Sequence, residues 1–164
     1  MVLSVFVNVF RFAVGCYFVK SGSDKLGKPS LFWKSIMNYD LVNARTACVL
    51  SSVIPPLEFF GGLLLAANII PFAFSVLLVF LLSIFSFAMV AAMMRGNVPD
   101  CGCGVVKNAV SPLLVVRNIV LALMLLPTIF RGIEAPKGDE VSIAVITMIV
   151  VVIVAIMRGR ALVR

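Results

Sequence analysis

The stretch FAFSVLLVFLLSIFSFAMVAAMM, residues 72–94, contains no charged side chain from end to end. About 20 residues of α-helix cross the hydrocarbon core of a bilayer, and a spanning segment must satisfy its backbone hydrogen bonds within itself. Residues 72–94 therefore read as a transmembrane helix, and the chain repeats the pattern on either side. Stretches with few or no charges cover residues 1–20, 47–70, 112–130 and 141–157. Of the 164 residues, 62% are hydrophobic and 13% charged, a balance that excludes an ordinary soluble domain. The expectation is an all-α, polytopic membrane helical bundle, a single transmembrane domain over 1–164 with a four-helix core and a fifth transmembrane helix. The connections near Ile70 and Pro71 and between the fourth and fifth spans are short. The first span has no basic leader and no small-residue cleavage site, and it contains Asn8 and Arg11, so it is expected to stay in the mature protein.

The net charge of +7 does not indicate nucleic acid, because the basic residues are spread over the flanks of the spans instead of forming a folded basic face. Lys20, Lys25, Lys28, Lys34 and Arg45 flank the first long loop, Arg95 and Lys107 the third, and Arg158, Arg160 and Arg164 lie in the tail. The opposite side has only Arg131 and Lys137, beside Glu134, Asp139 and Glu140. The positive-inside rule makes the first side cytoplasmic and the N-terminus external, in a protein of the plasma membrane. The longest connection, residues 21–46, opens with Gly22, Gly27 and Pro29 and then offers Leu31, Phe32, Ile36 and Met37 on one side of a short helix. Trp33, Lys34 and Tyr39 suit the interface, so this helix is expected to lie along the membrane surface and partly cover the cytoplasmic end of the bundle.

Chemistry is concentrated in the cysteines. Cys101-Gly102-Cys103 places two thiols two residues apart in a turn after the third span, where Gly102 supplies freedom in φ. A disulfide closing so small a ring is strained and easily reduced, which suits exchange better than stapling. Cys16 lies near the expected end of span one and Cys48 at the start of span two. All four cysteines are then expected near one membrane face, the plan of a two-pair thiol relay in which one pair meets a mobile partner and the other passes electrons onward. Cys16 and Cys48 are equally read as small apolar residues of helices. No metal site is expected, because the spacings do not fit the usual ligand knuckles. With no histidine in the chain, histidine-ligated haem and histidine acid–base catalysis are excluded.

Arg11, Glu58 and Arg117 are the ionisable residues well inside the expected spans. Burying them is costly unless they pair or line a polar cavity. An Arg11–Glu58 pair with Arg117 nearby would hydrogen-bond a quinone carbonyl or stabilise a thiolate, or would fix helix packing where Gly15, Gly61 and Gly62 permit close approach.

Arg11, Gly15, Phe18, Gly22 and Lys25-Leu26, followed by Pro56-Leu57-Glu58, Gly61 or Gly62, Arg95-Gly96, Cys101-Gly102-Cys103-Gly104 and Arg117-Asn118, form an ordered pattern over about 110 residues. This pattern resembles the MauE/DoxX-like family of small redox-associated membrane proteins. The resemblance implies a helical bundle. It also implies a role in disulfide formation in a partner enzyme, as in the methylamine-utilisation members, or in sulfur, thiol or quinone redox, as in the DoxX-like relatives. It makes Cys101 and Cys103 the redox pair and Arg11, Glu58 and Arg117 the polar membrane cluster. One departure is Gly104-Val105, where the family often has phenylalanine directly after the second cysteine.

The expected function is a membrane thiol:disulfide oxidoreductase that passes electrons between a thioredoxin-like or other dithiol protein and a membrane quinone through Cys101 and Cys103, with Cys16 and Cys48 as a second pair. The alternatives are a non-catalytic membrane anchor or assembly subunit of a redox complex, including one of thiosulfate:quinone oxidoreductase type, and a small-solute transporter using the buried Arg and Glu.

Overall fold

The computed structural model describes residues 2–96 and 111–131. Cys101, Cys103, Lys107, the expected span at 141–157 and the tail arginines lie outside the described residues. Within them are five helices, α1 (Val2–Gly27), α2 (Pro29–Asn38), α3 (Ala44–Ala66), α4 (Pro71–Met94) and α5 (Pro112–Arg131). Four of these, all but α2, are long and apolar enough to cross a membrane. The all-helical bundle expected from the sequence is the observed fold.

Two boundaries differ from the sequence reading. Helix α1 continues seven residues beyond the expected end at residue 20, through Asp24 and Lys25 to Gly27. Charge alone set the expected limit, but Lys25 is only 4% exposed and is neutralised within the bundle, so nothing ends the helix there. Helix α3 occupies 44–66 instead of 47–70. Asn43 caps its start, accepting the Thr46 N–H at 2.9 Å on its side-chain oxygen. Its end is closed by Asn68 in the left-handed conformation (φ 61°), with the Ile69 N–H bonded to the Leu64 carbonyl and the Asn68 N–H to that of Leu65. That is the double hydrogen bond of a Schellman stop, and it leaves residues 67–70 as the turn into Pro71.

Small residues fix how α1 and α3 pack. A Cβ built on Gly22 would lie 2.6 Å from the Phe59 backbone nitrogen, and one on Gly62 would lie 2.7 Å from the Gly15 carbonyl oxygen. The two backbones are therefore in direct contact, running antiparallel, with Gly15 opposite Gly62 and Ala66 and Gly22 opposite Phe59. Helices α4 and α5 form the second close pair. Between the pairs lies a core of Val14, Phe18, Leu65, Phe74, Leu78 and Leu125.

Helix α2 is the short helix expected in the first long connection, with Pro29 in its first turn. Its inward face is not the expected one. Phe32 and Ser35 are buried while Leu31 is 52% exposed, so the covering stripe runs through Phe32, Ser35, Ile36 and Tyr39. The i, i+3, i+4, i+7 spacing of these four residues is that of one helix face.

Candidate functional site

Ser21, Gly22 and Lys25 occupy the last two turns of α1, on the face pressed against α3. Gly22 admits the Phe59 backbone, and that close approach brings the next side chain on the stripe, Lys25, onto Glu58. Lys25 Nζ donates to Glu58 Oε1 at 2.5 Å and to Oε2 at 2.7 Å, and Ser21 Oγ donates to Oε2 at 3.3 Å. Lys25 and Glu58 have side-chain exposures of 3% and 1%. The ammonium also lies 5.1 Å from the ring centre of Phe32 on α2 and 4.7 Å from that of Phe85 on α4. Those distances are within cation–π range. Four helices thus converge on one buried cation.

Lys25 also lines a cavity of about 350 Å³ bounded by α2, α3 and α4. The rest of the lining is almost wholly apolar, with Phe32 and Ile36 from α2, Leu50 and Ile54 from α3, and Ile84, Phe85, Ala88 and Met89 from α4. Pro55 and Pro56 follow Ile54 and are buried inside α3. Each lacks the N–H that would bond four residues back, which releases the carbonyls of Ser51 and Ser52 from the helical ladder beside the cavity. A pocket of this size and polarity is typical of small-molecule sites, where an apolar chamber carries a few placed polar groups.

The expected Arg11–Glu58 pair is not formed. Glu58 is held by Lys25 and Ser21, and Arg11 lies 14 residues before Lys25, about 21 Å away along α1. The length misassigned to α1 is the cause, since a span ending at residue 20 puts Arg11 in mid-membrane and leaves Lys25 in a loop. In the structure Arg11 is level with the turn from α3 to α4. Arg117 belongs to a separate polar group. Its Nη2 donates to Asn118 Oδ1 at 3.4 Å and its guanidinium lies 5.5 Å from the ring centre of Tyr17, while Asn118 Nδ2 donates to Ser86 Oγ at 3.3 Å. The candidate site residue that the sequence reading did not place in the polar cluster is Lys25. Its signal was the stripe Gly15, Phe18, Gly22, Lys25, whose spacing of three, four and three residues puts a cation on the same face as two packing glycines.

Cys16 and Cys48 are both free thiols, the first exposed and the second half-buried. The structure does not bring them together. Cys16 follows Gly15, which abuts Ala66 at the far end of α3, whereas Cys48 lies in the first turns of α3. About 25 Å of helix separates the two levels. The connection carrying Cys101 and Cys103 lies outside the described residues. Its flanks, Gly96 after α4 and Ser111 before α5, are at the cavity end of the bundle, where Met89 packs against Tyr39, Leu114 and Val115.

The family model described as methylamine utilisation protein MauE matches residues 3–131. The chain belongs to the MauE family. The matched region takes in all the transmembrane helices described, the Lys25–Glu58 pair, Arg117 and the Cys101-Gly102-Cys103 turn. As a MauE-family chain with four apolar spanning helices, it is an integral membrane protein, and its family sets it in a methylamine-utilisation or redox context. No curated protein and no solved structure is similar enough to match it.

Proposed function

We propose that this MauE-family chain is a membrane thiol:disulfide oxidoreductase that couples oxidation of a dithiol protein of thioredoxin-like type to reduction of a membrane quinone through Cys101 and Cys103. One observation carries the reading. An apolar cavity of about 350 Å³, with the buried Lys25 among its lining residues, occupies the end of the bundle at which α4 and α5 lead into the Cys101-Gly102-Cys103 connection. The fit to a quinone headgroup is good in both volume and chemistry, since the lining offers aromatic and aliphatic surface together with a hydrogen-bond donor for a carbonyl oxygen. Lys25 would hold the headgroup, and Phe32 and Phe85 would flank it. Arg11 and Arg117, which do not reach this cavity, have no part in the reading.

In the proposed reaction a thiolate of the partner attacks the Cys101–Cys103 disulfide, the partner's second thiol resolves the mixed disulfide, and the partner leaves oxidised with Cys101 and Cys103 as a dithiol. Asp100 adjoins Cys101 and its charge disfavours a thiolate there, so Cys103 is the nucleophile when the pair re-forms. Re-forming the disulfide releases two electrons and two protons, and a quinone, when bound, accepts both to become the quinol. The relay needs no second cysteine pair, in keeping with the separation of Cys16 from Cys48. The bias of Lys28, Lys34, Arg45 and Arg95 toward the cavity end supports a cytoplasmic position for that end.

The test is turnover of a reduced thioredoxin-like protein by the purified chain with decyl-benzoquinone as acceptor. Cys101→Ser and Cys103→Ser are each expected to abolish it in a folded bundle, and full turnover in either variant refutes the relay. Quinone reduction absent from the wild-type protein, together with tight co-purification of a partner, would mark a non-catalytic anchor or assembly subunit instead. Labelling of intact cells with a membrane-impermeant maleimide after reduction reads sidedness, and external labelling of Cys101 and Cys103 would overturn the cytoplasmic placement.

A further inference from the structure

We infer that the cavity takes its ligand sideways from the lipid phase, as a ring carbonyl compound with an alkyl or prenyl tail, the carbonyl accepting a hydrogen bond from Lys25 and the tail leaving over Ile84 and Phe87. The inference rests on the quinone-linked reading above and specifies how its electron acceptor is held.

The hydrogen-bond capacity of Lys25 is the first argument. An ammonium has three donors, and Glu58 engages Nζ through both carboxylate oxygens. The remaining donor belongs to a residue that lines the cavity, and its ammonium lies near the ring faces of Phe32 and Phe85, which line the cavity too. A buried donor without an acceptor is costly, so an oxygen acceptor entering the cavity gains a charge-assisted hydrogen bond. Glu58 already balances the charge, which favours a neutral carbonyl over an anion.

The α4 wall of the cavity supplies the second argument. Ile84 and Phe87 line it, yet they are 42% and 73% exposed among the described residues. They continue the exposed stripe of Phe72, Val76 and Phe80 along α4, a helix of membrane-spanning length, and an exposed apolar stripe on such a helix suits contact with lipid. The cavity therefore has both the buried Lys25 and the exposed apolar residues Ile84 and Phe87 in its lining. A simple acyl chain matches only the apolar part and leaves the Lys25 donor unmet. A tailed ring carbonyl matches both ends.

Trp33, the sole tryptophan, is half-buried on α2 next to the cavity-lining Phe32 and gives a built-in reporter, because quinones quench indole fluorescence. Decyl-benzoquinone titrated into the protein in lipid nanodiscs is expected to quench Trp33 saturably. The paired substitution Lys25→Met with Glu58→Leu, which strands no charge, is expected to weaken binding roughly ten- to hundredfold through loss of the charge-assisted bond. Ala88→Phe fills the cavity without touching the ion pair and is expected to weaken it comparably. Wild-type titration curves in both variants overturn the assignment, and so does equal displacement of the quinone by decane, which would make the cavity a lipid groove. If both variants bind normally while dithiol-driven turnover persists, this placement fails and the thiol–quinone reading stands. If quenching is saturable and Lys25-dependent but no turnover occurs, the placement stands and the thiol reading fails.

Discussion

Breaking the Lys25–Glu58 pair one partner at a time is expected to give unequal losses, and the structure sets their order. Both side chains are buried, so removing either strands a charge, a perturbation that typically costs about 3–5 kcal/mol. Lys25→Met leaves the Glu58 carboxylate with only Ser21 Oγ, at 3.3 Å. Glu58→Leu leaves the ammonium facing Phe32 and Phe85 at 5.1 and 4.7 Å, and each such contact is worth about 0.5–2 kcal/mol to a desolvated cation. Lys25→Met should therefore cost about 1 kcal/mol more than Glu58→Leu. The double substitution replaces the pair by apolar side chains of similar volume and should cost less than either single change. The assay is unfolding of the four proteins in mixed micelles by rising dodecyl sulfate, followed by far-ultraviolet circular dichroism, closed as a double-mutant cycle. Hydrogen-bond couplings inside membrane bundles average about 0.6 kcal/mol, so a coupling of about 2 kcal/mol or more marks a desolvated ion pair. Additive losses, or a larger loss for Glu58→Leu, would refute the reasoning.

The glycine seam gives a second expectation. Gly22→Ala puts a methyl group 2.6 Å from the Phe59 backbone, where nothing flexible can yield, and should cost about 1–3 kcal/mol, whereas Gly61→Ala meets only the side chains of Leu78 and Phe74, the nearest atom at 3.4 Å, and should change stability by about 0.5 kcal/mol or less in the same assay. Equal effects at the two sites would contradict the observed helix contact. Cys16→Ser and Cys48→Ser are expected to keep full dithiol-driven quinone turnover, because the two thiols lie at opposite levels of α3; loss of turnover in either would restore a two-pair relay.

The membrane bundle was legible in the sequence because hydropathy over about 20 residues reports the solvent around a helix, and α4 and α5 were bounded by it to within a residue. The end of α1 was not legible by that measure. Hydropathy counts Lys25 as a charge, while burial depends on whether the charge is neutralised, and the neutralising Glu58 is 33 residues away in the chain. The same cause hid the site, since Glu58 was recognised as buried but matched with Arg11 on the assumption of a shorter first helix. The exposed Leu31 shows a smaller effect of this kind. The sequence reading puts Leu31, Phe32, Ile36 and Met37 on one side of α2, yet apolar character does not say which of them the bundle covers.

The position of the cavity follows from the same seam that made Lys25 buried. Glycines at 15, 22 and 62 let α1 and α3 meet backbone to backbone, and α4 and α5 form the other close pair. Helices α3 and α4 are neighbours in sequence, yet they meet less extensively than α1 and α3 do. Drawing α3 onto α1 leaves a wedge between α3 and α4 at the end away from their tight turn, and α2 closes it with Phe32, Ser35 and Ile36. The seam also carries Lys25 to the apex of that wedge, one helical turn beyond Gly22. A single face of α1 therefore sets both the space of the cavity and the position of Lys25, the donor that the proposed ligand would meet. It follows that Gly22→Ala, by pushing α3 away from α1, should weaken decyl-benzoquinone binding at Trp33 as well as lower stability, even though no atom of Gly22 borders the cavity.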